Sequence, residues 1–319
     1  MTDVCLGVAF LFILTINITQ IIELGDIHKQ NLITVIYNTN MKIRYSEIFY
    51  SIQGEGKWTG TPSVFFRTFG CNLTCAGFGQ PRGELIPEED MPHMKLDISN
   101  ITSIEDLPVL DIGCDSSASW SKKYKHLSPF ATTEEIVPEL TKYAPWSQYN
   151  HLVITGGEPL LGWQKAYIEM FEHPDMSNLT HLTFETNGSK LVQDDFAEYL
   201  NKRNIDVTWM CSPKLSLTGE DQTVTINPNA LLTMNKVKNS NINLKFVIRD
   251  EQDISEVQNA VAKYVEVGVK IEDVYLMPEG ATIEGQELTE RNVADICMKY
   301  GYKFSPRLHI NLFGNSWGT

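Results

Sequence analysis

At 319 residues, with 42% hydrophobic and 21% charged side chains, the chain can bury a full core and has the composition of an ordinary globular protein, without internal repeats or low-complexity tracts. A formal charge of −14 argues against a large phosphate-binding surface, because affinity for nucleic acid rests mainly on Lys and Arg neutralising the backbone; a small-molecule substrate and no direct nucleic-acid partner are expected. Cysteines at 5, 71, 75, 114, 211 and 297 are too few and too scattered for a secreted disulfide scaffold and read as reduced thiols in a cytosol.

The first forty residues stand apart. Val4 to Ile22, VCLGVAFLFILTINITQII, is nearly continuous apolar sequence, long enough to span a bilayer. Thr15, Asn17, Thr19 and Gln20 interrupt it, and neither a basic start nor a small-residue cleavage site accompanies it. Three readings follow: a dispensable extension with Met41 as the working start, a membrane anchor, or an added structural element. The chain is accordingly divided into an apolar extension, 1–40, and a main domain, 41–319, expected in the cytoplasm, with a tether through residues 4–22 as the alternative.

From Lys42 onward strands alternate with helices. Strand candidates are Ile43 to Tyr50, Val64 to Phe69, His151 to Thr155, Leu182 to Thr186, Val207 to Cys211, Asn243 to Ile248 and Val274 to Met277. Thr132-x-x-Glu135 is a capping-box signature opening a helix toward Tyr143, and Ile254, Val257, Val261 and Val265 fall on one face of another. Strands separated by helices imply parallel pairing with right-handed crossovers, hence an α/β sheet or barrel. Chemistry in such folds gathers at the carboxyl ends of the strands, where Cys71, Gly156, Asn187 and Ser212 fall.

Two stretches carry the chemistry. Cys71 and Cys75 share one glycine-entered loop, FGCNLTC, directly after the apolar run VFF, and two thiols so placed suggest a soft-metal or cluster site. The run LVIT opens into Gly156-Gly157-Glu158-Pro159, where a glycine pair exposes backbone that a polar ligand can approach closely. Either stretch alone is compatible with buried structural thiols or a plain strand-ending turn. Together they resemble a radical S-adenosylmethionine enzyme, in which three cysteines hold an iron-sulfur cluster and leave one iron for the cofactor.

In that resemblance the usual position of the third cysteine is occupied by Phe78. Cys114 is the replacement, because its context, GCDSSASW, is similar to the Cys-Asp-Thr segment of one branch of the superfamily. An acidic, proline-containing insertion, 76–113, then separates the second ligand from the third, which loop entropy allows at modest cost. Cys211 lies far from the cysteine loop in motif order, and Cys297, in NVADICMKYG, reads as core.

The branch is marked by Ser51-Ile52-Gln53-Gly54-Glu55-Gly56, Arg67, Glu185-Thr186-Asn187-Gly188, Ser212-Pro213-Lys214 and Ser305-Pro306-Arg307-Leu308-His309. In order and number these resemble the 7-carboxy-7-deazaguanine synthase (QueE) family, from about Ile43 to Trp317. The resemblance implies a partial, truncated TIM-like parallel β/α barrel, usually paired as a homodimer. It implies conversion of 6-carboxy-5,6,7,8-tetrahydropterin to 7-carboxy-7-deazaguanine with loss of ammonia, using a [4Fe-4S] cluster on Cys71, Cys75 and Cys114, S-adenosyl-L-methionine and Mg2+. Flavodoxin or ferredoxin is the type of electron donor expected.

Carried over residue by residue, Gln53, Gly54, Glu55, Arg67, Arg307 and His309 bind the pterin, with Glu55, Arg67 and His309 catalytic. Gly156, Gly157, Glu158, Pro159, Glu185, Asn187, Ser212 and Lys214 bind the cofactor, and Ser116, where the family has Thr, supplies an oxygen to Mg2+. The chemistry of the side chains agrees: a carboxylate suits adjacent N–H donors, and a guanidinium suits a substrate carboxylate through paired bonds. Each also has a plainer reading, a turn-capping pair for Gln53 and Glu55, a structural ion pair for Arg67, a packed side chain for His309. A different radical enzyme, such as an activase of a glycyl-radical partner, would keep the cysteines and GGEP but has no need of Gln53-Gly54-Glu55 or Arg307-x-His309. A non-catalytic membrane-tethered scaffold is the third reading.

Overall fold

The computed structural model describes residues 41–143 and 151–319, so the apolar extension, 1–40, lies outside the described residues. Among the described residues nine strands form one sheet: β1 (Lys42–Ile52), β2 (Pro62–Thr68), β3 (Phe130–Thr132), β4 (His151–Gly156), β5 (His181–Thr186), β6 (Asp206–Cys211), β7 (Ser240–Ile248), β8 (Ile271–Pro278) and β9 (Lys303–Phe304). Their order is β3-β1-β2-β4-β5-β6-β7-β8-β9. From β2 to β9 every pairing is parallel. β1 departs from the all-parallel expectation, running antiparallel to both β2 and β3. Its cause is local: only a short loop joins β1 to β2, too short for a crossover. No pairing joins β3 to β9 among the described residues, so the sheet is a mostly parallel, unclosed barrel wall.

Helices cover the outer face: Thr133–Thr141 (α1), Gln164–Glu172 (α2), Asp194–Arg203 (α3), Pro228–Met234 (α4), Ile254–Glu266 (α5) and Ile283–Tyr300 (α6). The capping box at Thr132 and Glu135 is formed. On α5 the apolar stripe is Ile254, Val257, Ala260 and Tyr264, whereas Val265 is exposed, so the stripe turns with the 3.6-residue period earlier than expected. Two strands escape the sequence reading, β3 and β9, because three and two residues carry no periodicity.

The two-residue period of the strands sorts side chains into two layers. Phe184 of β5 and Trp209 of β6 stack at 5.0 Å on the helix side, where Phe196 of α3 meets Phe184 edge-on at 5.9 Å. The alternate positions face inward. Phe49, Phe65 and Val153 pack together there, and Glu47, Arg67, Thr155, Glu185, Lys245 and Met277 line the cavity described below.

The loop between β1 and β2 fills the amino end of the inner face. Trp58 lies 4.8 Å from the His151 ring and 5.8 Å from that of His181, the first residues of β4 and β5, and its indole N–H donates to Thr208 Oγ1 at 3.1 Å. With that end filled, the cavity of the inner face lies toward the carboxyl ends.

The insertion, 76–113, carries only a one-turn helix, Pro92–Lys95, and short 3-10 turns. It builds a satellite core from Ile104 and Leu107 with Ala118 and Tyr124, flanked by Leu96, Ile98, Ile101, Leu127 and Trp317. Arg82 pins it to the start of α5 through a paired bond to the fully buried Asp253, at 2.7 and 2.9 Å. Among the described residues no helix is long and apolar enough to cross a membrane.

Candidate active site

A cavity of about 260 Å³ opens at the carboxyl ends of the strands. Cys71, Cys75 and Cys114 all line it, whereas Cys211 and Cys297 do not. Alternation explains Cys211: two residues after Trp209, it faces the helices and packs on Met234 Sδ at 3.5 Å. Cys297 lies on α6, its thiol 3.7 Å from the carbonyl of Lys303. Phe78 also lines the cavity, with the Lys214 ammonium 6.0 Å from its ring centroid.

The cysteine loop is held from outside. Glu220 Oε1 accepts from the backbone N–H of Thr74 and of Cys75, each at 2.6 Å, and Cys75 takes a left-handed conformation, φ 49°, rare for a residue with a Cβ. Leu73 N–H donates to Cys71 Sγ at 3.4 Å, and Asn187 Nδ2 lies 3.9 Å from the same sulfur while donating to Asn72 Oδ1 at 3.2 Å. Burial pushes the Cys71 thiol up to about 12 and raises Cys75 and Cys114 as well.

The Gly156-Gly157 pair has an immediate structural reason. A Cβ on Gly157 would come within 2.4 Å of the Gly70 carbonyl, so the turn after β4 lies directly against the chain entering the cysteine loop. Glu158 N–H donates to Gly70 O at 2.7 Å. The carboxylate of Glu158 is fully buried and accepts from Leu160 N–H, Thr186 Oγ1 and Asn187 N–H at 3.0, 2.7 and 2.7 Å. Pro159 also stands behind the cavity wall, its carbonyl accepting from Tyr167 at 2.8 Å. The cavity therefore meets this turn at Gly156 and Gly157, together with Asn187, Ser212 and Lys214 from the neighbouring turns.

The opposite wall is a charged network. Gln53 Nε2 donates to Glu185 Oε1 at 3.1 Å, and Lys245 joins Glu185 Oε2, at 2.8 Å, to Glu55 Oε2, at 2.5 Å. Arg307 Nε donates to Glu55 Oε1 at 3.0 Å and its Nη2 to Asp115 Oδ2 at 2.5 Å. His309 Nε2 lies 3.8 Å from Glu55 Oε1. Gly54 sits where a Cβ would meet His309 Nδ1 at 2.1 Å, which explains the glycine between Gln53 and Glu55. Burial pushes Glu55 up, but Lys245 and Arg307 outweigh it and hold the carboxyl well below its ordinary range. Glu185 is raised by burial and by Glu55, against the pull of Lys245 and the bond from Gln53. Burial lowers His309 to about 4, against the pull of Glu55.

Arg67 projects inward from β2. Its Nε donates to Glu47 Oε1 at 2.6 Å, and its guanidinium lies between the rings of Phe49, at 5.7 Å, and Trp317, at 5.6 Å. Glu47 Oε2 accepts from Gly318 N–H at 2.8 Å, which fastens the last residues over this wall. Ser116 lines the cavity with its hydroxyl 3.5 Å from Cys114 Sγ. Sequence reasoning missed Lys245, Asp115, Glu47, Glu220 and Trp317. Of these only Lys245 had a legible signal, a lysine at an inward position of an otherwise apolar strand, NLKFVI.

The donor set fits the implied cofactors. Three thiols whose ionisation is opposed by burial and by one another need a cationic partner, and three rather than four leaves an iron open. Among the described residues no group of three His, Cys, Asp or Glu is arranged to hold a single metal ion. One hydroxyl, Ser116, suits Mg2+, which keeps most of its waters.

An unclosed, mostly parallel β/α sheet that gathers three cysteines and a charged wall at the carboxyl ends of its strands has the build of a radical S-adenosylmethionine enzyme. No family model matches the chain. Among curated proteins it is 30% identical to the 7-carboxy-7-deazaguanine synthase of Hyperthermus butylicus, over 85% of this chain and 93% of that one. It is 29% identical to the enzyme of the same name from Halobacterium salinarum, over 85% and 90%. A solved structure, QueE from Escherichia coli, aligns over 85% of this chain and 96% of that one, with 20% identity and a TM-score of 0.48. The chain belongs to the 7-carboxy-7-deazaguanine synthase family.

Proposed function

We propose that the chain converts 6-carboxy-5,6,7,8-tetrahydropterin to 7-carboxy-7-deazaguanine with loss of ammonia, as a step of 7-deazapurine biosynthesis. The relation to curated synthases over most of both chains carries this reading. It is supported by one cavity that has thiols on one wall and paired carboxylate and guanidinium groups on the other.

Cys71, Cys75 and Cys114 would hold the [4Fe-4S] cluster, and Gly156, Gly157, Asn187, Ser212 and Lys214 would orient S-adenosylmethionine. When bound, these groups supply the one-electron chemistry of hydrogen abstraction from carbon, and Mg2+ at Ser116 supplies a hard charge for a carboxylate. The chain's own work is binding and orientation. Glu55, ionised, accepts from the N–H edge of the pterin together with Gln53. Arg67, held on one side by Glu47, has its remaining donors for the substrate carboxylate, with Phe49 and Trp317 limiting its swing. His309 is neutral at pH 7 and can donate or accept at the ring.

Anaerobic reconstitution followed by product analysis with the carboxypterin tests the reading. An iron-loaded protein that cleaves S-adenosylmethionine but leaves the pterin unchanged would point to another radical enzyme. The proposal extends to a cytoplasmic homodimer reduced by a flavodoxin- or ferredoxin-type donor, with residues 1–40 dispensable. Light scattering and turnover of a chain started at Met41 check the oligomer and the extension.

A further inference from the structure

We propose that Lys245 is a positioning residue of this cavity: its ammonium keeps Glu55 ionised beside Glu185 and fixes the Glu55 carboxylate toward a heterocycle that presents N–H donors. The inference rests on the proposed substrate class only for what Glu55 faces.

Lys245 occupies an inward position of β7, and its side chain is 4% exposed. A lysine so buried requires partners, and it has two: Glu55 Oε2 at 2.5 Å and Glu185 Oε2 at 2.8 Å. The two carboxylates come from distant parts of the chain, the β1–β2 loop and the end of β5, and meet on one nitrogen. The remaining oxygens are also assigned, Glu55 Oε1 to Arg307 Nε and Glu185 Oε1 to Gln53 Nε2. Gln53 Oε1 in turn accepts from Glu55 N–H at 3.1 Å, which closes a ring of contacts around the lysine.

The charges facing Glu55 are Lys245 from β7, Glu185 from β5, Arg307 and His309 from the C-terminal segment, and Asp115 just after the insertion. Three carboxylates therefore share two cations, and Arg307 is already divided between Glu55 and Asp115. Without Lys245, Glu55 and Glu185 would face each other as like charges in a buried site, and the pair would hold a proton near neutral pH. A proton shared between the two carboxyls, whichever carries it, draws Glu55 onto Glu185 and away from N–H donors in the cavity. Lys245 is not a nucleophile here: burial lowers it, but its two carboxylates prevail and raise it above its ordinary value, so it remains an ammonium.

The test uses the full chain with Lys245→Met, Lys245→Arg and the double change Lys245→Met with Glu185→Gln. Difference infrared spectroscopy, without any ligand, should show a protonated carboxyl appearing in Lys245→Met at pH 7 to 8 and absent from the parent, from Lys245→Arg and from the double variant. With 7-carboxy-7-deazaguanine as a non-reacting probe, Lys245→Met should bind roughly 10-fold or more weakly at pH 7, the scale of one charge-assisted hydrogen bond. That deficit should shrink toward pH 9, and the double variant should recover most of it at pH 7. Lys245→Arg, which keeps the charge but misplaces it, should weaken binding without pH dependence. Absence of the carboxyl band in Lys245→Met, or a pH-independent loss that Glu185→Gln does not relieve, overturns the proposal. If Lys245→Met does not fold, the double variant must fold, and its failure counts against the proposal equally. A parent that binds no deazaguanine contradicts the proposed function instead, and the infrared result still decides the role of Lys245.

Discussion

Gly113 N–H donates to the Phe78 carbonyl at 2.8 Å, so the acidic insertion leaves the cysteine loop and returns to it at one point. The residue that follows the return is Cys114. The insertion thus displaces the third cysteine in sequence while leaving it on the wall of the same cavity, beside the phenyl ring that stands at the usual third position.

Cys114→Ala should therefore lose bound iron after anaerobic reconstitution, as Cys71→Ala and Cys75→Ala should, while Cys211→Ala and Cys297→Ala retain it. Cys211 faces the helices and Cys297 lies on α6, so neither change alters the donor set. Full iron and activity in Cys114→Ala, with both lost in Cys211→Ala, would reverse the assignment.

Glu220 gives a second prediction. One carboxylate oxygen takes two consecutive backbone N–H groups, including that of Cys75 in its left-handed conformation. Glu220→Ala leaves both donors unpaired and the loop free to relax. Supporting contacts of this kind typically contribute about 10- to 100-fold to metal affinity, so cluster retention under chelator challenge should fall by about that factor with the fold intact. Unchanged iron loss over time would show that the loop holds its shape without the clamp.

What could be read from the sequence was whatever follows a local period or a run of short motifs. The parallel strands from His151 to Pro278 were placed to within a few residues, because each is an apolar run followed by turn chemistry. The same alternation that puts Trp209 on Phe184 puts Cys211 on the helix side, so strand parity alone marks it as turned away from the cavity. Pairings across the sheet were not legible. Glu55 with Lys245, Arg307 with Asp115 and Glu47 with Gly318 join residues separated by most of the chain, and nothing local marks them. The three protein donors to Glu158, from Leu160, Thr186 and Asn187, were equally hidden, because the motif marks the acid but not what it holds.

His151 sets a pH dependence of stability. It is buried between Ser63 Oγ, at 3.0 Å, and Thr183 Oγ1, at 2.6 Å, and burial, aided by His181, lowers it to about 3 from 6.5. A depressed histidine stays neutral in the folded chain while the unfolded chain takes up a proton below about pH 6.5. Stability is thus fully present above pH 6.5 and is lost as pH falls toward 3, with a limiting slope of about 1.4 kcal/mol per pH unit. His309, lowered to about 4, acts in the same direction. Urea unfolding at pH 7 and pH 5 should show His151→Gln losing about 2 kcal/mol less than the parent over that interval. Equal losses would mean that His151 accepts its proton in the folded state.

The Mg2+ assignment makes the last prediction. Ser116 follows Asp115, whose carboxylate is engaged by Arg307, so the hydroxyl is the hard oxygen left at this corner of the cavity. It lies 3.5 Å from Cys114 Sγ, and its loss removes no thiol. Ser116→Ala should retain iron and bind S-adenosylmethionine, yet lose most of its stimulation by magnesium and turn over roughly 10-fold more slowly, the scale of one supporting metal contact. Misplacement of the substrate carboxylate, rather than loss of the cluster, would be the cause, since reacting atoms must be held near attack geometry. Ser116→Thr keeps the hydroxyl and should keep the stimulation. A titration of turnover against magnesium for the three proteins, with iron content measured on the same samples, separates the outcomes. If Ser116→Ala responds as the parent does, the contact comes from Ser117 or a water, or the ion binds elsewhere.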